Sequence, residues 1–289
     1  MPSVKEYNVK LQSLHNTEKI TKTMKLVSMS KLYRAHEAQK RAKLYATDLT
    51  ELLGRIAGAV ELSAHPLLTP RENVNNVLVL LITSDRGLCG SFNNTLIKGV
   101  ELWRQSEGAK YKFVAMSFCG KRGYAHFRKT VQVEKFYENS TARPDFAVAK
   151  AIGRDLMEFF LSKKYDEIHV CYNVFNSPLS QKPAFLQILP IEPHLLRPGE
   201  QEWNADYLFE PRRSQLLDVL IPKYLFFRIY FALLENSAGE HGARMTAMDS
   251  ASQNASDLID WFTLLRNRAR QANITKELIE IVSGKEALQ

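Results

Sequence analysis

From Ser3 to Leu53 the sequence contains neither proline nor glycine, the two residues that most readily end a helix. Val4, Tyr7, Leu11 and Leu14 recur at alternating spacings of three and four, the seam of a helix packed against one other helix. The same frame then reaches Glu18, Thr21, Lys25 and Ser28, while the apolar residues step to Ile20, Met24 and Val27; it resumes at Leu32, Ala35, Leu49 and Leu53. One helix is expected from the start of the chain to about His65–Pro66, where proline stops it. At 1.5 Å per residue it would be roughly 90 Å long, several times the width of a small domain. Such a helix is expected to project.

After Pro211 the helical period returns and persists almost to the end. Leu234, Ala238, His241, Met245 and Met248 keep one frame; Ala255, Leu258, Phe262, Leu265, Ala269 and Ala272 keep another, with a three-residue skip near Ala251. Two long helices at opposite ends of the chain, both joined to a compact middle, are expected to pair antiparallel. Ala238, Gly239, Gly242, Ala243, Ala247 and Ala251 would let their backbones approach closely, and each glycine costs about 1 kcal/mol against alanine unless packing offsets it.

The middle changes period. VLVLLI (77–82) is a continuous apolar run, the mark of a strand buried on both faces, and a helical stretch from about 91 to 105 follows it. KFVAMSF (112–118), a GKRG turn and a short basic helix repeat the arrangement. A helix from about 145 to 163 precedes the strand DEIHVCYNVF (166–175). FLQILPI (185–191) follows after a Ser/Pro turn with no room for a helix, so an antiparallel neighbour is expected there. The fold class is α/β: an open, Rossmann-like sheet domain over 74–195, between a helix of 1–66 and a helix of 211–289 that pack together.

The formal charge of +8 is uneven. Residues 1–50 hold ten Lys or Arg against four Asp or Glu, a net of +6, whereas 235–289 hold six against eight, a net of −2. A basic helix fits nucleic acid, an anionic membrane surface or an acidic protein partner. The interleaved aromatics of a nucleic-acid surface are missing, which disfavours the first. No uncharged apolar run approaches the roughly 18 residues of a membrane span, and VLIPKYLFFRIYFALL (219–234) is broken by Pro222, Lys223 and Arg228. Cys89, Cys119 and Cys171 are odd in number and lack CxxC spacing, so neither a disulfide framework nor a zinc site is expected. With no secretory or transit signal at the N-terminus, a cytoplasmic protein fits best.

SDRGLCGSFN (84–93) lies where an α/β sheet places ligands, between a strand and a helix. It matches neither GxGxxG nor GxxxxGK[ST], and Gly87 and Gly90 suit a tight turn equally well. Cys89, beside Asp85 and Arg86 and with His126 or His169 as base, is a candidate activated thiol. A buried turn cysteine is the favoured reading. In the opening helix Lys19, Lys22 and Lys25 coincide with apolar residues spread around the helix, and enclosed and basic together point to a protein cavity with acidic walls.

These segments, NTEKITKTMKLVSMSKL (16–32), TSDRGLCGSFN (83–93), DYLFEP (206–211), ENSAGEHGARMTAMDSASQNASDLI (235–259) and NRARQANITKELIEIVSG (267–284), resemble the gamma subunits of F-type ATP synthases, with the match running the whole length of the chain. The resemblance implies a non-catalytic rotor shaft without a cofactor. Its paired terminal helices would stand inside a hexamer of alpha and beta subunits, and its lower parts would rest on the c-subunit ring and bind epsilon. Proton flow would turn ring and shaft, driving ATP synthesis at the beta subunits, and the chain would lie peripherally on the cytoplasmic face of the inner membrane. By the same likeness, Lys19, Lys22, Met24 and Lys25 pass acidic beta-subunit loops. Arg244, Arg270, Gln271, Thr275 and Glu277 contact beta loops near the upper shaft, and Tyr207 and Glu210 lie near the c ring. Arg86 and Cys89 belong to a surface loop of the lower domain. The chain departs from the family pattern at Gly239 and Gly242, at Ser28–Met29 in place of Ala–Ala, and at Arg266 in place of tyrosine. It carries no inserted cysteine pair, which favours a bacterial type.

Overall fold

The computed structural model describes residues 3–57, 65–192 and 212–286. The chain forms two compact units, one of Met1–Ser28 with Met245–Gln289 and the other of Met29–Arg244. Two long helices, α1 (Val4–Ala57) and α5 (Arg213–Glu286), supply residues to both.

In the first unit the helices pair antiparallel: the Tyr7 ring lies 6.3 Å from that of Phe262, and Lys25 meets Asp249 at 2.6 Å. Leu11 is buried on α1; Met248, Ala255 and Ile259 are buried on α5. The α5 seam therefore passes through Ile259 rather than the expected Leu258, which is 43% exposed. On α1 the frame never steps aside. Thr21 and Ser28 stay in the seam and are buried, while Ile20, Leu26 and Val27 face outward at 60%, 61% and 50% exposure. Thr21 tolerates burial because its hydroxyl donates to the Thr17 and Glu18 carbonyls of its own helix, both at 3.0 Å, which satisfies the polar group locally.

The second unit is built on a five-stranded sheet. Along the chain come β1 (Asn76–Ile82), α2 (Phe92–Gln105), β2 (Phe113–Cys119), α3 (Lys121–Phe127), β3 (Gln132–Tyr137), α4 (Phe146–Leu161), β4 (Glu167–Ser177) and β5 (Ser180–Leu189). The strand order is β3-β2-β1-β4-β5, with the first four parallel and β5 antiparallel to β4. Central β1 is flanked on both sides and covered on both faces, so its apolar run is continuous. Leu78, Leu80 and Ile82 share one core with α4 and the α1 and α5 residues Leu49, Leu53, Ile221 and Leu225. Val77, Val79 and Leu81 share the other with Leu96 and Val100 of α2 and Phe127 of α3. Each fully buried side chain of this kind contributes about 1.5–3 kcal/mol.

Several boundaries differ from expectation. The α1 helix is described to Ala57; residues 58–64 lie outside the described residues, and His65 already belongs to a turn in which its carbonyl accepts the Leu68 amide at 2.9 Å. GKRG is not a turn before a helix but the helix start itself. Gly120 takes φ +91°, and a Cβ there would fall 2.2 Å from the Thr83 carbonyl oxygen. Strand β3 was not expected. Its sequence QVEKFY carries Glu134 and Lys135 because it is an edge strand, half-exposed and without a clean apolar run. Strand β5 begins at Ser180, earlier than FLQILPI indicates, and its Pro183 is tolerated at the opposite edge.

Candidate partner interface

In the first unit, Lys19 and Lys22 are exposed and make no ion pair among the described residues. Lys25 is bound within the chain by Asp249, and Met24 is half-buried. The lysine-rich stretch thus presents two outward cations beside the exposed Ile20, Leu26 and Val27. On α5, Arg270, Gln271, Thr275 and Glu277 are all exposed. Because Tyr7 is level with Phe262, α5 runs past the first turn of α1, and every side chain from 271 to 283 faces outward. Ile274, Leu278, Ile281 and Val282 recur at helical spacing and are 49%, 58%, 69% and 58% exposed. An apolar stripe of this kind is ordinarily covered by something.

In the second unit, Arg244, which the sequence assigned to the upper shaft, meets the loop that holds Arg86 and Cys89. Arg244 is 7% exposed, and its guanidinium donates to the Gly87 carbonyl from Nε at 3.2 Å and from Nη2 at 3.1 Å. Nη2 also bonds Glu240 at 2.7 Å. This fixes α5 to the loop that holds Arg86 and Cys89. The loop is tied elsewhere as well: the Asp85 carboxylate accepts from the Lys121 amide (3.1 Å) and the Thr141 hydroxyl (2.9 Å), and the Ser84 hydroxyl donates to the Arg86 carbonyl at 2.6 Å. The Arg86 side chain and Leu88 are exposed at its tip.

Cys89 is the buried turn cysteine that the sequence favoured: it is 2% exposed beneath the loop, with the Asn93 amide nitrogen 3.2 Å from its sulfur. Burial pushes its thiol up, outweighing the opposing pull of the Arg244 charge. An activated thiol requires the opposite shift. The two candidate bases are engaged elsewhere, His126 with Glu101 at 2.7 Å and His169 with Glu167 at 3.0 Å. Among the described residues no cluster of three or more metal-ligating side chains occurs, and no helix is long and apolar enough to cross a membrane.

The glycines of α5 serve the sheet domain, not a close approach of the two helices. A Cβ at Gly239 would lie 2.9 Å from the Phe92 ring, and one at Gly242 would lie 3.1 Å from the Pro178 Cα. The sequence reading also passed over Glu235, which accepts from Gln39 of α1 at 3.0 Å and whose carboxyl burial pushes up. A lone acid in the apolar run YFALLENS was the available signal. His241 is buried beside Arg244, whose Nη1 lies 3.3 Å from its Nδ1, and burial, then the Arg244 and Lys31 charges, push its pKa down to about 4. Tyr207 and Glu210 lie outside the described residues.

The described residues thus form a paired-helix unit with outward cations and an uncovered apolar end, and a five-stranded sheet unit. A family model described as ATP synthase matches residues 3–288. The ATP synthase gamma chains of Trichlorobacter lovleyi and Geotalea uraniireducens are 41% and 39% identical, each over the whole of both chains. Among solved structures, a chain of the Tetrahymena thermophila mitochondrial ATP synthase central stalk and c ring matches at 22% identity and a TM-score of 0.58, covering 81% of this chain and 99% of that one. A chain of the Euglena gracilis mitochondrial ATP synthase matches at 20% identity and a TM-score of 0.62, covering 99% and 94%. The chain belongs to the gamma-chain family of ATP synthases.

Proposed function

We propose that this chain is the central-stalk rotor subunit of a proton-driven F-type ATP synthase, transmitting rotation of the c ring to the beta subunits, where the chemistry takes place. The observation that carries the reading is the outward apolar stripe of Ile274, Leu278 and Val282 on a helix end that α1 does not cover. Enclosure by an alpha–beta hexamer would bury it. Arg270, Gln271, Thr275 and Glu277, on the same exposed segment, would then meet beta-subunit loops.

Lys19 and Lys22 are free to attract acidic loops of successive beta subunits over a distance, so that engagement does not depend on a deep interlocking contact. Lys25 would join them only by leaving Asp249. At the sheet unit, the exposed Arg86 would contact a partner directly, whereas Arg244 and Cys89 would act by holding its loop in shape. The c ring and epsilon would complete the lower contacts, Tyr207 and Glu210 among them, on the cytoplasmic face of the inner membrane. The test is to replace Lys19, Lys22 and Lys25 together by Gln and measure proton-driven ATP synthesis in reconstituted vesicles. Synthesis should drop several-fold with assembly intact, and unchanged synthesis would refute charge engagement.

A further inference from the structure

Within the sheet unit, the loop between β1 and α2 carries an exposed tip on an unfavourable backbone. Leu88 takes φ +63° and is 64% exposed, so a bulky side chain stands in solvent on a left-handed residue. A leucine keeps that conformation only where its surroundings over-determine it. Its neighbours are fixed: the Arg86 carbonyl accepts from the Ser84 hydroxyl at 2.6 Å, the Gly87 carbonyl from Arg244, and the Cys89 carbonyl from the Phe92 amide at 3.2 Å. Arg122 of α3 also lies against Gly87.

Arg244 reaches this tip from α5 and is itself held on that helix by two neighbours. Nη2 donates to Glu240 at 2.7 Å, and Nη1 lies 3.3 Å from His241 Nδ1, the one partner of Nη1 among the described residues. A guanidinium has donors only and keeps its charge, so Nδ1 must be the acceptor. The ring is therefore neutral, with its proton on Nε2. The charged groups around it are Arg244 and Glu240 on its own helix and Lys31 of α1, with Asp85 of the loop acting on Glu240. A second proton on the ring would replace the acceptor by a cation facing a cation.

We propose that His241 is a positioning residue for this loop. Its Nδ1 accepts from Nη1 and keeps the other edge of the guanidinium, Nε with Nη2, turned to the Gly87 carbonyl. That grip holds Leu88 in its left-handed, outward conformation beside the exposed Arg86, ready for a partner to meet. Packing of an imidazole ring alone would not select one nitrogen; acceptance from an arginine does. The docking half of the proposal rests on the rotor reading, and the clamping half rests on this geometry alone.

The test uses the purified full-length chain, alone and with an alpha–beta hexamer. Nitrogen-15 spectra of the His241 ring at pH 7, identified by its absence in His241→Gln, should show Nε2 protonated and Nδ1 bare; the other tautomer would overturn the proposal. His241→Leu removes the acceptor and should speed alkylation of Cys89, buried beneath the loop, at least tenfold, with Cys119 and Cys171 unchanged. His241→Gln, whose side-chain oxygen can accept, should stay within about twofold of native. In an Arg244→Met background His241→Leu should add nothing, because its effect runs through Arg244. Circular dichroism checks folding, and if His241→Leu does not fold, the spectra and the glutamine variant decide. Native protection of Cys89 in folded His241→Leu, or exposure of Cys89 in His241→Gln, would overturn the clamp. Hexamer affinity should fall at least threefold in His241→Leu and stay native in His241→Gln. Native affinity in His241→Leu despite a loosened loop would overturn the docking half; a native chain that ignores the hexamer would overturn the rotor reading and docking with it, while the labelling results still decide the clamp.

Discussion

Arg244 grips the Gly87 carbonyl from two nitrogens while its charge is balanced by Glu240, so one side chain joins α5 to the loop that follows β1. Both partners of this ion pair are buried, with side chains 8% and 7% exposed. Removing one leaves the other without its counter-charge in a poorly solvated place. Arg244→Met should lower unfolding free energy by about 3 kcal/mol and raise amide exchange across residues 85–90. Arg244→Lys, which keeps the charge and loses the fork, should fall between the two in denaturant titrations.

Substituting the α5 glycines separates packing from helix propensity. In an exposed helix Gly→Ala stabilises by about 1 kcal/mol. Here the added methyl meets the Phe92 ring or the Pro178 backbone, so Gly239→Ala and Gly242→Ala should each destabilise by about 1–3 kcal/mol. Phe92→Leu should relieve the first and leave the second, because a side chain can be shortened and a backbone cannot.

The buried His241 sets a pH dependence with a definite sign. Its folded pKa of about 4 lies below the unfolded value of 6.5, so between these limits the unfolded chain binds a proton that the folded chain refuses. Its contribution is complete above pH 6.5 and is lost as pH falls toward 4, roughly 3 kcal/mol in all. Glu235 and Glu240 are shifted upward by burial and act in the opposite sense above pH 4.5. The clean measurement is therefore the difference between the native chain and His241→Gln, by denaturant unfolding at pH 7 and pH 5. The native chain should lose more stability than the variant.

Burial protects the Cys89 thiol. Alkylation of Cys89 in the folded chain should be slowed at least a hundredfold relative to the chain in denaturant, as measured by mass spectrometry of the labelled peptide. In Arg244→Met, where the loop is released, labelling should speed up selectively at Cys89 and not at Cys119 or Cys171, which lie in strands β2 and β4.

The sequence disclosed what depends on local pattern. The unbroken stretch to Leu53 marked α1, the apolar run at 77–82 marked the doubly covered strand, and the short turn at 178–179 marked the antiparallel edge. It was least legible where a side chain's role is set by a distant partner. Thr21 and Ser28 disguised the α1 seam because they are polar, yet Thr21 satisfies its hydroxyl within its own helix. Gly239 and Gly242 looked like contacts between the long helices because Phe92 and Pro178, which they accommodate, lie many residues away. Arg244 and Gly87 are 157 positions apart, and nothing in either segment names the other.

The most direct test concerns the end of α5. Ile274, Leu278 and Val282 replaced together by Ser should leave the melting temperature of the isolated chain within a degree or two, because these side chains are already exposed. The same variant should bind a purified alpha–beta hexamer at least tenfold more weakly, as read by titration calorimetry. Wild-type affinity in that variant would contradict the account, since it would mean the hexamer does not hold this chain by its uncovered stripe.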